Sequence, residues 1–110
     1  MAISHAYVAV TSRATNGACV LKTGKGIAEV NRGPGAGLYS VNFLENLDNA
    51  YYAVDVTVNM GDATHRFYVY NRVSERQVDV RIFSDDAVPV GLDADFTVEV
   101  WSDADGSIGA

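Results

Sequence analysis

One cysteine, two prolines and two histidines in 110 residues leave little room for several kinds of chemistry. The single thiol, Cys19, rules out an intrachain disulfide and a structural zinc site built on paired thiols. Within Ala18-Cys19-Val20-Leu21 it reads as a small buried hydrophobe. A nucleophile would need His5 or His65 as its base, and nothing in the sequence brings either one near. Those two histidines are too few and too far apart for a histidine-rich metal site, and each reads as an ordinary strand residue. No stretch approaches the roughly 18 apolar residues of a transmembrane helix. Met1–Tyr7 lacks the basic start and apolar run of a signal peptide. Positive charge is scarce as well. Eight basic against fourteen acidic side chains give a net charge of -6, which argues against broad electrostatic binding to nucleic acid. The expectation is no cofactor, no metal, no nucleic acid and no membrane.

Residues that build a core are abundant: 48% of the chain is hydrophobic and only 20% charged. That balance fits one globular domain and excludes a disordered chain. The charge is unevenly placed. Arg81 is the last basic residue, and the 29 residues after it hold seven carboxylates.

Period-two alternation dominates, and no window carries a helical stripe. Tyr52, Val54, Val56 and Val58 fall on one face of 51–58, opposite Tyr51, Ala53, Asp55 and Thr57. Val78, Val80 and Ile82 oppose Asp79, Arg81 and Phe83. Phe96, Val98 and Val100 oppose Thr97, Glu99 and Trp101, and Tyr39, Val41 and Phe43 alternate with Ser40 and Asn42. Half-buried antiparallel strands carry this pattern. Weaker strands are expected at 6–11, 18–23, 26–31 and 65–70. Gly33-Pro34-Gly35-Ala36-Gly37 predicts a tight connection, Met60-Gly61-Asp62 a hairpin, 45–49 a short helical turn, and 84–94 a longer loop. The prediction is an all-β fold: an antiparallel sandwich or jelly roll of about eight strands over residues 1–102. Residues 103–110 form an acidic C-terminal tail.

A monomeric sandwich should turn polar residues outward. Here the second face is expected to carry Tyr68, Tyr70, Phe83 and Trp101 among Arg66, Arg72, Arg81, Glu99, Asp55 and Asp79. Aromatic and arginine enrichment is the composition of a contact surface. Arg66, Tyr68, Tyr70, Arg81, Phe83 and Trp101 are therefore the candidate subunit or partner interface, and closed cyclic symmetry is the default. On this reading negative charge gathers in solvent-facing loops and tail, and arginine where subunits meet.

Other motifs fail on their chemistry. Gly24-Lys25-Gly26 and the 33–37 run lack the Walker spacing and a following helix. Asp103-Ala104-Asp105-Gly106 is a fragment of a calcium loop, with Trp101 standing where an oxygen ligand belongs. Asp85-Asp86 and the pair Asp93/Asp95 hold a divalent cation only if folding converges them; the simpler reading is solvated loop carboxylates. Asp93 and Asp95 also bracket Ala94 just before Phe96, where a carboxylate can accept backbone N–H groups and anchor the strand.

One ordered series is more specific. Gly35-Ala36-Gly37-Leu38-Tyr39-Ser40-Val41-Asn42-Phe43 is followed by Tyr52-Ala53-Val54 and by Val78-Asp79-Val80-Arg81-Ile82. Last come Val88-Pro89-Val90-Gly91-Leu92-Asp93-Ala94-Asp95-Phe96 and the strand to Val100. Over 26–101 this resembles a module common in tailed bacteriophages, often at the C-termini of tail-fibre proteins. The module is similar to the trimeric jelly roll of complement-type globular heads and tumour necrosis factor. The resemblance implies a homotrimer in the virion, non-enzymatic, with other virion proteins such as the major capsid protein as partners. A chain consisting almost wholly of the module fits a head decoration (cement) protein. The alternative is a tail-fibre or accessory tail subunit acting as a receptor- or glycan-binding tip, with Trp101 and the 84–94 loop against a host surface glycan. A depolymerase is the third and weakest reading.

Overall fold

The computed structural model describes residues 3–13, 15–47, 52–58, 66–84, 88 and 90–103. Among them lie nine strands: β1 (Ile3–Thr11), β2 (Gly17–Ala18), β3 (Val20–Lys25), β4 (Ile27–Arg32), β5 (Leu38–Phe43), β6 (Ala53–Val58), β7 (Arg66–Ser74), β8 (Gln77–Ser84) and β9 (Phe96–Asp103). They form two antiparallel sheets in the orders β3-β1-β9-β6 and β2-β4-β5-β8-β7. The fold is all-β, a two-sheet sandwich without helix among the described residues.

The core follows from the alternation. Ala6, Val8 and Val10 of β1, Tyr39, Val41 and Phe43 of β5, Val78, Val80 and Ile82 of β8, and Phe96, Val98 and Val100 of β9 are all buried. Residues between them face outward. A one-residue slip would exchange the two sets, so burial itself fixes the register. First and last strands pair along their full length, from Ile3 opposite Asp103 to Val10 opposite Phe96. Two core tyrosines are fully buried, and each hydroxyl has a partner. Tyr39 donates to Asp93, while Tyr52 reaches the Ser74 and Gln77 carbonyls at 3.0 and 2.8 Å. Burial pushes the Tyr52 phenol up to about 12, against the opposing pull of Arg72. The Tyr52 ring meets Phe43 edge-on, with centroids 5.5 Å apart.

Several sequence expectations change. The strand expected at 18–23 is two strands, because the chain leaves one sheet at Ala18 and joins the other at Val20. Cys19 sits at the crossing and donates its amide to the Val30 carbonyl. The predicted hairpin at Met60-Gly61-Asp62 lies outside the described residues. Its flanking strands, β6 and β7, belong to different sheets, so the connection crosses the sandwich. A tight turn joins β7 to β8, with Ser74 opposite Gln77. Of the helical turn expected at 45–49, the described part through Leu47 is a bend. Strand β9 runs to Asp103, one residue into the expected tail, whose remainder lies outside the described residues.

The connection at 33–37 is the tight turn its composition predicts. Gly33 donates to the Leu38 carbonyl at 2.8 Å, joining β4 to β5. Gly37 has φ +77, and a Cβ there would collide with the Ile82 carbonyl and come within 2.8 Å of the Leu92 backbone. The crowding arises because Ile82 donates to Gly37 and accepts from Leu92, so three chain segments meet at one point. Gly37→Ala is expected to cost about 2–3 kcal/mol. Gly35→Ala, where a Cβ meets open space, should stay within about 0.5 kcal/mol. Denaturant midpoints of the two variants check this.

Candidate functional site

The six residues expected at an interface are divided among separate places. Directly opposed residues of an antiparallel pair lie on one face. Tyr68 opposes Ile82 and Tyr70 opposes Val80, and both partners are fully buried, so these tyrosines lie on the core side of β7. Tyr68 packs half-buried against the core; Tyr70, on the edge strand, stays 41% exposed. Arg72 opposes Val78 in the same row and donates to the Tyr52 carbonyl at 2.9 Å. Arg66 opens β7 opposite Ser84. Arg81 and Phe83 occupy the outer face of that sheet, the guanidinium 5.1 Å from the ring centroid. Trp101 lies on the outer face of the other sheet, opposite Ala53 and His5. Among the described residues these side chains do not share one face. Alternation could not choose, because both rows of β7 are apolar: Tyr68 and Tyr70 in one, Phe67, Val69 and Val73 in the other.

Residues 85–87 and 89 of the candidate glycan loop lie outside the described residues. Trp101 stands five residues along β9 from Phe96, about 17 Å at the strand rise, whereas the 90–94 segment precedes Phe96.

The best-defined polar centre is built on Asp93. Its carboxylate accepts from Arg32 Nε at 3.1 Å and Nη2 at 3.0 Å, from the Gly37 amide at 2.9 Å, and from the Tyr39 hydroxyl at 3.1 Å. Arg32 is only 8% exposed. Asp95 does parallel work on the other sheet, accepting the Ser12 amide at 2.8 Å and its hydroxyl at 3.2 Å. Both aspartates thus anchor backbone beside the start of β9. They serve different partners and do not converge on a cation. Among the described residues, no three His, Cys, Asp or Glu side chains group closely enough for a metal.

Burial alone would raise the Asp93 pKa; the donors around it, Arg32 first, more than offset this and hold it below the usual carboxylate range. Tyr39 is pushed well above the usual phenol range by burial and by the Asp93 charge. A carboxylate engaged by four donors and held ionised is a poor general base. The centre therefore has the chemistry of a structural anchor. Arg32 was not singled out from sequence, although a signal existed: it continues the Val30 row of β4, so an arginine stands where the pattern turns inward.

No family model, curated protein or solved structure matches the chain. Two surface hollows remain as candidate ligand sites. One, of about 290 Å³, lies among Lys25, Leu44, Glu45 and Leu47; the other, of about 230 Å³, lies among Lys22, Thr57, Asp95 and Thr97. Cys19 is half-buried against the core, and burial raises its thiol pKa.

Asp93→Asn is expected to lower stability by about 2–3 kcal/mol at pH 7, on the order of 10 °C in Tm. The folded pKa of Asp93 lies below its unfolded value near about 4, so its contribution is complete above that pH and fades as pH falls through the folded pKa. The wild type should therefore lose part of its advantage over the variant below about pH 4, measured by melting both across pH 2–7. Cys19 should react with iodoacetamide at neutral pH more slowly than free cysteine, read by mass spectrometry.

Proposed function

We propose that this chain is a non-enzymatic structural protein of a bacteriophage particle, a homotrimeric jelly roll that decorates the exterior of the head. The observation that carries the reading is the strand pairing. Pairs β1–β9, β9–β6, β5–β8 and β8–β7 are those expected of a jelly roll, two interlocked Greek keys, shortened by one hairpin. The quoted motif pieces support it too. Gly37 and Tyr39 of the glycine-tyrosine segment meet Asp93 of the Asp-Ala-Asp-Phe segment, more than fifty residues later, at one carboxylate.

The trimer has its own support on the outer face of sheet β3-β1-β9-β6. One cross-strand row runs Lys25, Tyr7, Glu99, Asp55, from a cationic edge to an anionic one. Head-to-tail contact of copies through such a face sets lysine against aspartate at every junction, and a three-fold rotation between copies would close it into a ring. Trp101 and Ala53 lie in the next row. The bound face would look toward its own copies, leaving the acidic remainder toward solvent, which favours solubility on a particle.

Light scattering should give three subunits at micromolar concentration. Lys25→Glu should lower the mass, and Lys25→Glu with Asp55→Lys should restore it. A clean wild-type monomer would sink the trimer. Antibody labelling of intact particles should mark the head; label at the fibre tips, with binding on a glycan array, would instead favour the receptor-binding alternative.

A further inference from the structure

Of the seven asparagines in the chain, Asn16 alone is followed by glycine. The others precede Arg32, Phe43, Leu47, Ala50, Met60 and Arg72, each of which carries a Cβ beside its backbone nitrogen. Asn16 lies exposed in a bend just before β2, and its side chain has no hydrogen-bond partner among the described residues. Gly17 has φ +133, a backbone conformation that residues with side chains rarely adopt. It opens β2, a two-residue strand at the edge of its sheet, opposite Arg32. So short an edge pairing frays at low cost, and the Gly17 amide is freed with it.

A cation spans this dipeptide. Arg13 donates from Nη2 to the Thr15 hydroxyl at 3.1 Å and from Nη1 to the Ala18 carbonyl at 2.9 Å. Its guanidinium thus bridges the residues on either side of Asn16-Gly17. The guanidinium carbon lies 3.6 Å from the place where a Cβ of Gly17 would stand. No described carboxylate forms an ion pair with Arg13. Positive charge held there stabilises negative charge that develops on the Gly17 nitrogen or on the Asn16 side-chain oxygen.

We infer that Asn16 is a site of self-modification, at which the folded chain converts asparagine to aspartate and isoaspartate with assistance from Arg13. The Gly17 nitrogen, its proton taken by hydroxide, bonds to Cγ of Asn16. The Cγ–Nδ2 bond then breaks, and ammonia leaves with a proton from water, closing a succinimide ring. A second water adds to one ring carbonyl. Opening at Cγ gives aspartate; opening at the α-carbonyl gives isoaspartate, whose backbone runs through the former side chain. The net change is one water consumed and one ammonia released. Both products place a new carboxylate beside Arg13, and the second adds a methylene to the backbone just before the chain crosses between sheets at Cys19. Strand β2 belongs to the other sheet from the proposed ring face, so the conversion is independent of subunit number.

Peptide mapping by mass spectrometry tests this. The folded protein is held in mildly alkaline buffer and digested with trypsin, and peptide 14–22, whose only amide side chain is Asn16, is followed for a gain of one mass unit. It should convert, the product resolving into two isomers of equal mass, while the peptides carrying Asn31 and Asn71 stay unchanged over the same period. Asn16→Gln should abolish the conversion. Arg13→Met, read in the longer peptide 1–22 that it leaves, should slow conversion several-fold in the folded protein, and Arg13→Lys should restore most of the rate. In urea, where the loop no longer holds the guanidinium in place, all three chains should convert alike. A folded protein that keeps Asn16 intact while the unfolded chain converts it overturns the site, because β2 then shields the Gly17 amide. Equal folded rates for wild type and Arg13→Met overturn the part given to Arg13.

Discussion

One carboxylate organises the closed end of this sandwich. Asp93 receives the Arg32 guanidinium, the Gly37 amide and the Tyr39 hydroxyl, which come from the end of one strand, the turn after it and the start of the next. Each of these groups is costly to bury without a partner, arginine most of all. Their donors converge only when the 90–94 segment lies against the glycine turn, and that approach needs residues without side chains at Gly37 and Gly91. The backbone bonds from Ile82 to Gly37 and from Leu92 to Ile82 then follow. The charge and the glycines are thus one device: the first supplies the attraction, the second the clearance.

This changes the meaning of the acidic C-terminal third. Two of its seven carboxylates, Asp93 and Asp95, are internal acceptors that hold backbone at the start of β9. Arginine is likewise divided. Arg32 is spent inside the fold, Arg72 ties β7 to Tyr52, and Arg81 lies over Phe83 on an outer face. Charge that looked like a map of solvent and interface is partly the fastening of the core. What remains outside is directional: lysine toward β3 and aspartate toward β6.

The face proposed for association traces to the strand topology. Long pairing of β1 with β9 builds a broad outer face across four strands. A short turn leads from β7 directly into β8, and among the described residues no further strand pairs with the edges of β6 and β7.

The inward rows of β5, β6, β8 and β9 were legible in the sequence, because burial of one face imposes a period of two. The anchoring role of Asp93 and Asp95 was legible too, since a carboxylate just before a strand has few other uses. Which row of β7 faces inward was not, because both rows are apolar and only the pairing of Tyr68 with Ile82 and Tyr70 with Val80 decides it. Nor was the break at Cys19, which no local residue announces and which the Val30 carbonyl across the gap imposes. The burial of Arg32 belongs with these: its cost is met by a carboxylate 61 residues away. Local pattern determined what each segment is; contacts distant in sequence decided where it goes, because sheet membership and charge pairing exist only between segments.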